Sequence, residues 1–238
     1  MPVEIKIMSA GAVESMVRAL GAEFERETGN RLNLVFNTAG SLRDRIKGGE
    51  KADLVILPPS AIDALDKPGM FVPGSRKDLG RTVTGVAVRE GAPAPDISTP
   101  DAFKQALLKA RVVSYTDPKA GGSSGTFFAG LLQKLGIADA VNKNAILGKR
   151  GYEVAQAVAD GRADIGTTFI SEILTVKGAK VVGPLPGELH NVNTYTAAIP
   201  ASTACPEQAK ALLSALSSPV TAPRWVAAGL EPAFLRDS

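Results

Sequence analysis

Between Val3 and Met8 the apolar Val3, Ile5 and Ile7 alternate with Glu4 and Lys6, which predicts a strand with one buried face. The small residues Ser9, Ala10, Gly11 and Ala12 follow, and Val13, Met16, Val17, Leu20 and Phe24 then recur at helical spacing. Gly29-Asn30 ends that helix, and Leu32, Leu34 and Phe36 mark a second strand. The pattern repeats down the chain. Asn37 to Ser41 leads into a helix from Leu42, Ala52–Leu57 is a buried strand ended by Pro58-Pro59, and Ser60 is positioned to cap the next helix. Thr82–Arg89 and Asn193–Ile199 read as longer strands, with a helix through Phe103, Leu107 and Leu108 after the first. Val112 to Ile137 is the fullest version: strand, breakers at Asp117-Pro118 and Gly121-Gly122, cap candidates Ser123 and Ser124, then a helix with Phe127, Phe128, Leu131, Leu132 and Leu135 on one face. Ala138–Ile146 reads as a short helix, Tyr152–Val158 as another, Asp164–Phe169 as a strand, Val181–Pro186 as a turn-rich exit, and Pro206–Leu216 as a helix.

Strands alternating with helices at this rate imply an α/β architecture with a largely parallel sheet. In such sheets ligands sit beyond the carboxyl ends of the strands, where all these small-residue turns lie. Backbone N–H groups at a helix N-terminus, with hydroxyl side chains beside them, suit an anion. The plainer alternative at Ser123 and Ser124 is an ordinary capped helix behind a loop.

The composition narrows the chemistry. Of 238 residues, 45% are apolar and 21% charged, with no apolar run near the ~20 residues of a membrane span. The net charge of +3 comes from interspersed charges, and aromatics are only 5%, so nucleic acid is disfavoured as a partner. Cys205 and His190 are each the only residue of their type, which excludes an intrachain disulfide, a Cys/His zinc site and a multi-His metal site. No cofactor or metal is expected. The text opens MPVEIKIM, straight into a strand, so two expectations stand: a cytoplasmic protein, or a periplasmic one whose export signal has been removed.

Four blocks carry a resemblance: SAGAVESMVRALGAEFERETG, GSLRDRIKGGEKADLVIL, SYTDP with its Gly/Ser turn before FFAGLLQKLGI, and VAQAVADGRADIGTTFISEIL. In this order they resemble the molybdate-binding-protein-like group of type 2 periplasmic solute-binding proteins. The stretches GVAVREGAPAPDIST, ALLKARVVSYTD and YTAAIP look most like the branch that contains aconitate isomerase. The resemblance implies an α/β, two-lobed type 2 periplasmic-binding-protein fold, with two crossing strands and a ligand cleft between the lobes. Lobe 1 would be residues 1–84 with 196–238, and lobe 2 residues 85–195. It also implies an anion held by backbone N–H groups and hydroxyls. Carried over by position, the ligand residues are Ala10, Gly11, Ala12, Gly40, Ser41, Ser123, Ser124, Gly125, Val154 and Thr168, with Leu57-Pro58 at the third turn.

The departures also matter. Ala12 stands where the group has a binding serine, Leu57-Pro58 replaces a small residue, and Thr168 or Phe169 falls at the usual tyrosine. Each anion oxygen left without its donor would cost about 1–3 kcal/mol, which speaks against molybdate. The GGSSG turn suits a larger ligand. The expected function is capture of a small anion, an organic di- or tricarboxylate, by lobe closure. The alternative is an aconitate-type isomerase in the same cleft, and a weaker one is molybdate or tungstate capture. A monomer is expected, with an ABC transporter permease as partner if the protein is exported. Tyr115, Tyr152, Arg43, Arg45, Lys119, Arg150 and His190 are further candidates, each with a plainer reading as packed or solvated side chains. Glu172 reads as a helix cap, Cys205 as structural and Trp225 as a core or lobe-packing residue. No residue is singled out as a catalytic base.

Overall fold

The computed structural model describes residues 2–235. In chain order the elements are β1 (Glu4–Ala10), α1 (Glu14–Thr28), β2 (Arg31–Asn37), α2 (Ala39–Lys47), β3 (Leu54–Leu57), α3 (Pro59–Asp63) and β4 (Lys77–Arg89). Then come α4 (Pro100–Lys109), β5 (Val113–Thr116), α5 (Ser123–Lys134), α6 (Ala138–Asn142), β6 (Ile146–Gly148), α7 (Gly151–Ala159), β7 (Ile165–Phe169) and α8 (Ile170–Ile173). The chain ends with β8 (Ala179–Pro184), β9 (Val192–Ala198), α9 (Pro206–Leu216), α10 (Ala222–Ala227) and β10 (Glu231–Pro232). It forms two compact units, one from the described residues up to Arg81 and from Asn193 onward, the other Thr82–Val192. The chain passes between them twice, within β4 and at the start of β9.

In the first unit β1 lies between β2 and β3, parallel to both, and β3 pairs antiparallel with β9. The register Ala10↔Asn37 sets the turn after β1 beside the turn after β2. Strand β1 buries Ile5 and Ile7 completely, as its alternation predicts, and α1 buries Met16, Val17, Leu20 and Phe24. Trp225 is fully buried in this unit, edge-on to Phe234 with ring centroids 6.1 Å apart.

In the second unit β5 is flanked by β6 and β7, all parallel, and β4 pairs antiparallel with both β7 and β8. Its core gathers Phe103, Leu107, Tyr115, Phe128, Leu131 and Leu132, with Tyr115 edge-on to Phe128 at 5.1 Å. Because β5, β6 and β7 are parallel, Thr116, Gly148 and Phe169 all end on one edge.

Three local expectations need correction. Val181–Pro186 is not only a turn: Ala179–Pro184 pairs with β4, and Gly183 and Pro184 disguise the strand in the sequence. The helix read over Ala138–Ile146 stops at Asn142, and Ile146 opens β6, whose three residues are too short to show an alternation. Ser60 caps nothing by its side chain. Pro58 is the N-cap of α3, and Pro59 starts the helix.

Candidate functional site

At the common edge of β5, β6 and β7 the chain turns into helices. After β5 it passes Asp117, whose carboxylate accepts from the Lys119 N–H at 2.9 Å, then enters α5 with Gly122 as N-cap. Ser123 and Ser124 are therefore the first residues of the helix and not its cap, and neither side chain caps it. Freed from capping, the buried Ser124 hydroxyl lies 3.2 Å from Thr116 Oγ1 and 3.5 Å from Thr168 Oγ1. Thr168 in turn donates to Glu172 Oε2 at 2.8 Å. Four side chains from β5, α5, β7 and α8 thus form one polar row.

Glycine makes this convergence possible. A Cβ on Gly125 would overlap the Thr116 carbonyl oxygen and lie 2.8 Å from its carbon, so only glycine lets the first turn of α5 rest on the end of β5. Gly151, the first residue of α7, has the same role toward Glu172: a Cβ there would overlap the carboxyl oxygens. Gly151→Ala is expected to destabilise by about 1–3 kcal/mol, as overpacking does. Urea unfolding of the single variants and of Gly151→Ala with Glu172→Ala checks it, because the penalty shrinks once the carboxyl group is gone.

Glu172 also accepts backbone N–H groups from Phe169 and Gly151. Phe169 is the N-cap of α8 and Glu172 stands three residues on, the reciprocal half of a capping box. The bond to Gly151 extends the same carboxyl group to the N-terminus of α7. Burial pushes its pKa up to about 7, and the Thr168 bond, the Arg150 charge and the two N–H groups oppose that rise only in part.

The first unit offers a second set of turns. Ala10 and Ala12 are buried and Gly11 is half-buried after β1, where Ser9 Oγ donates to the Ala10 carbonyl at 3.1 Å. Beside them, Gly40 and Ser41 lie in the first turn of α2, and Thr38 caps it by accepting the Ser41 N–H at 3.3 Å. At the end of β3, Pro58 and Pro59 carry no N–H, so this turn supplies fewer donors than the other two.

Of the residues expected at a ligand in the second unit, Ser124, Gly125 and Thr168 come together, and Ser123 adjoins them half-buried. Val154 does not join them by its side chain, which is fully buried against Gly148 and Gly166. Tyr115 is a core residue whose hydroxyl donates to Asn142 Oδ1 at 2.6 Å, and burial followed by the Asp117 charge pushes its phenol up. Arg43 pairs with Asp44, Arg45 with Glu50, and Arg150 lies 5.0 Å over the Tyr152 ring. His190 is exposed after a short turn, and Cys205 is buried beside Thr203. Among the described residues no group of three or more His, Cys, Asp or Glu is arranged to hold a metal ion. Thr116, Gly151 and the wider role of Glu172 were not evident from the sequence. The Phe169-to-Glu172 spacing signals the cap, but nothing in the text ties Glu172 to Gly151.

The architecture is that of the two-lobed type 2 periplasmic binding proteins. A molybdate-binding protein of Azotobacter vinelandii superposes with a TM-score of 0.73 at 20% identity, covering 95% of this chain and 98% of that one. The sulfate-binding protein SubI of Mycobacterium tuberculosis gives 0.76 at 16%, covering 99% and 90%. The chain belongs to the bacterial extracellular solute-binding protein family, whose model matches residues 5–231. An aconitate isomerase of Pseudomonas sp is 33% identical over 236 residues, 96% of this chain and 87% of the relative. The molybdate-binding protein ModA of Azotobacter vinelandii is 24% identical, over 91% of this chain and 85% of its own length.

Proposed function

We propose that this solute-binding protein takes a small organic anion with two or three carboxylates, held in its second unit by the N-terminus of α5 and the hydroxyls of Ser123, Ser124 and Thr168. The observation that carries this reading is the row from Thr116 through Ser124 and Thr168, set against a helix end with no acidic residue in its first turn. Within the first unit, the turns at Gly11–Ala12 and Gly40–Ser41 offer a further set of backbone and hydroxyl donors. Two features favour a carboxylate over molybdate. Ala12 and the Pro58-Pro59 turn remove donors that a compact tetrahedral oxyanion needs, and the 33% identical relative acts on aconitate, a tricarboxylate. In a periplasmic setting the partner is the permease of an ABC transporter.

The same relative supports a second reading, isomerisation of aconitate. In that reaction a proton leaves the CH2 carbon, its electron pair moves into the allylic system, and a proton returns at the former vinylic carbon. Fixed dipoles at a helix end stabilise the charge that develops.

Replacing Ser123 and Ser124 together by alanine is expected to weaken binding of the best anion at least about tenfold, through the loss of two hydroxyl donors. Titration calorimetry with cis-aconitate, trans-aconitate, citrate and molybdate measures this. Unchanged affinity would remove the α5 end from the site.

A further inference from the structure

Glu172 is an odd neighbour for an anion site. It places an ionisable oxygen at the inner end of the hydroxyl row, accepting from Thr168 and from the Gly151 N–H. As a carboxylate it repels a second anion, and it holds the Thr168 hydrogen on itself. As a carboxylic acid it carries no charge and can donate to Thr168 Oγ1. The Thr168 hydrogen is then released toward Ser124 Oγ, 3.5 Å away.

Resting on the anion-binding reading above, we propose that Glu172 is the proton-exchanging group of this site. Seating an anion at the Ser123–Ser124 helix end favours transfer of a proton from solvent onto Glu172 Oε2, and the acid so formed turns the Thr168 hydroxyl toward Ser124, whose own hydrogen is then free for the ligand. The new O–H bond forms on the carboxyl group and no other bond breaks. A resting pKa of about 7 places this exchange in the neutral range.

The charged groups around it leave this role to Glu172. On the α7 side, Arg150 is the cation that acts on it, and Glu153 accepts the Lys149 N–H at 2.9 Å. β8 brings Lys180 and the turn after α8 brings Lys177, both exposed, while β7 brings no charge. Before α5, Asp117 is bonded to the Lys119 N–H, and the Lys119 side chain is exposed.

The test is calorimetric titration of the full chain with trans-aconitate and with molybdate, in pairs of buffers that differ in ionisation heat, at pH 8 and pH 5.5. For a shift of one pKa unit on binding, the wild type is expected to take up roughly 0.4 proton per ligand at pH 8 and almost none at pH 5.5, and to bind about fivefold more tightly at pH 5.5 than at pH 8. Glu172→Gln keeps the polar row and reports the ligand's own protonation; it should take up no proton at pH 8. Binding by the wild type without uptake at pH 8, or equal uptake by Glu172→Gln, would overturn the assignment and leave the anion site standing. Failure of every anion to bind would overturn both.

Discussion

Gly125→Ala is expected to lower stability by about 3 kcal/mol, at the upper end of ordinary overpacking penalties. The neighbour it meets is backbone, the Thr116 carbonyl in a strand paired on both sides, so no side chain can rotate away. Relief requires α5 to lift off β5, which separates Ser124 from Thr116 and Thr168. Anion affinity should therefore fall along with stability. Gly130→Ala in the same helix is the control. A Cβ there meets nothing within 4 Å, and alanine gains up to about 1 kcal/mol in helix propensity. Urea unfolding of the two variants should move in opposite directions.

The second large effect is a pH dependence of stability. The pKa of Glu172 is raised in the folded protein to about 7 from an ordinary 4.5, so between these values the folded state holds a proton that the unfolded state has lost. Stability from this group is complete below pH 4.5 and is lost as pH rises through 7. The loss amounts to about 3 kcal/mol. Glu172→Gln can still accept from Gly151 and Phe169 and carries no charge, so it should not share the decline. Other carboxyl groups move the other way: Glu50, held by Arg45 and Lys6, is lowered to about 2, and Asp164 is lowered by Arg111. The comparison is therefore the difference between wild type and Glu172→Gln, in which those groups cancel. Unfolding curves from pH 4 to pH 8 should diverge, with the variant the more stable at the alkaline end.

The strand–turn–helix units were legible because their burial is one-sided. Ile5 and Ile7 on β1 and Phe128, Leu131 and Leu132 on α5 face their cores at the periods the sequence displays. β6 and β8 were hidden for the opposite reason: one is three residues long, and the other carries Gly183 and Pro184 where alternation would show. In the polar row, Ser124 and Thr168 stood out as hydroxyls beside strand ends. Their 3.5 Å approach depends on the parallel pairing of β5 with β7, which no local pattern encodes. Glu172 shows the limit most clearly. A glutamate three residues after an N-cap reads as a cap, and it is one, yet its partial burial and its bond to Gly151 come from the packing of α7 on α8.

The most direct measurement is a calorimetric titration of the wild type and of the Ser123→Ala/Ser124→Ala variant with trans-aconitate, with molybdate titrated in parallel. The expected result is saturable binding of trans-aconitate that weakens at least about tenfold in the variant, with molybdate bound far more weakly. Tight binding of molybdate alone, or trans-aconitate binding that ignores both serines, would contradict the account.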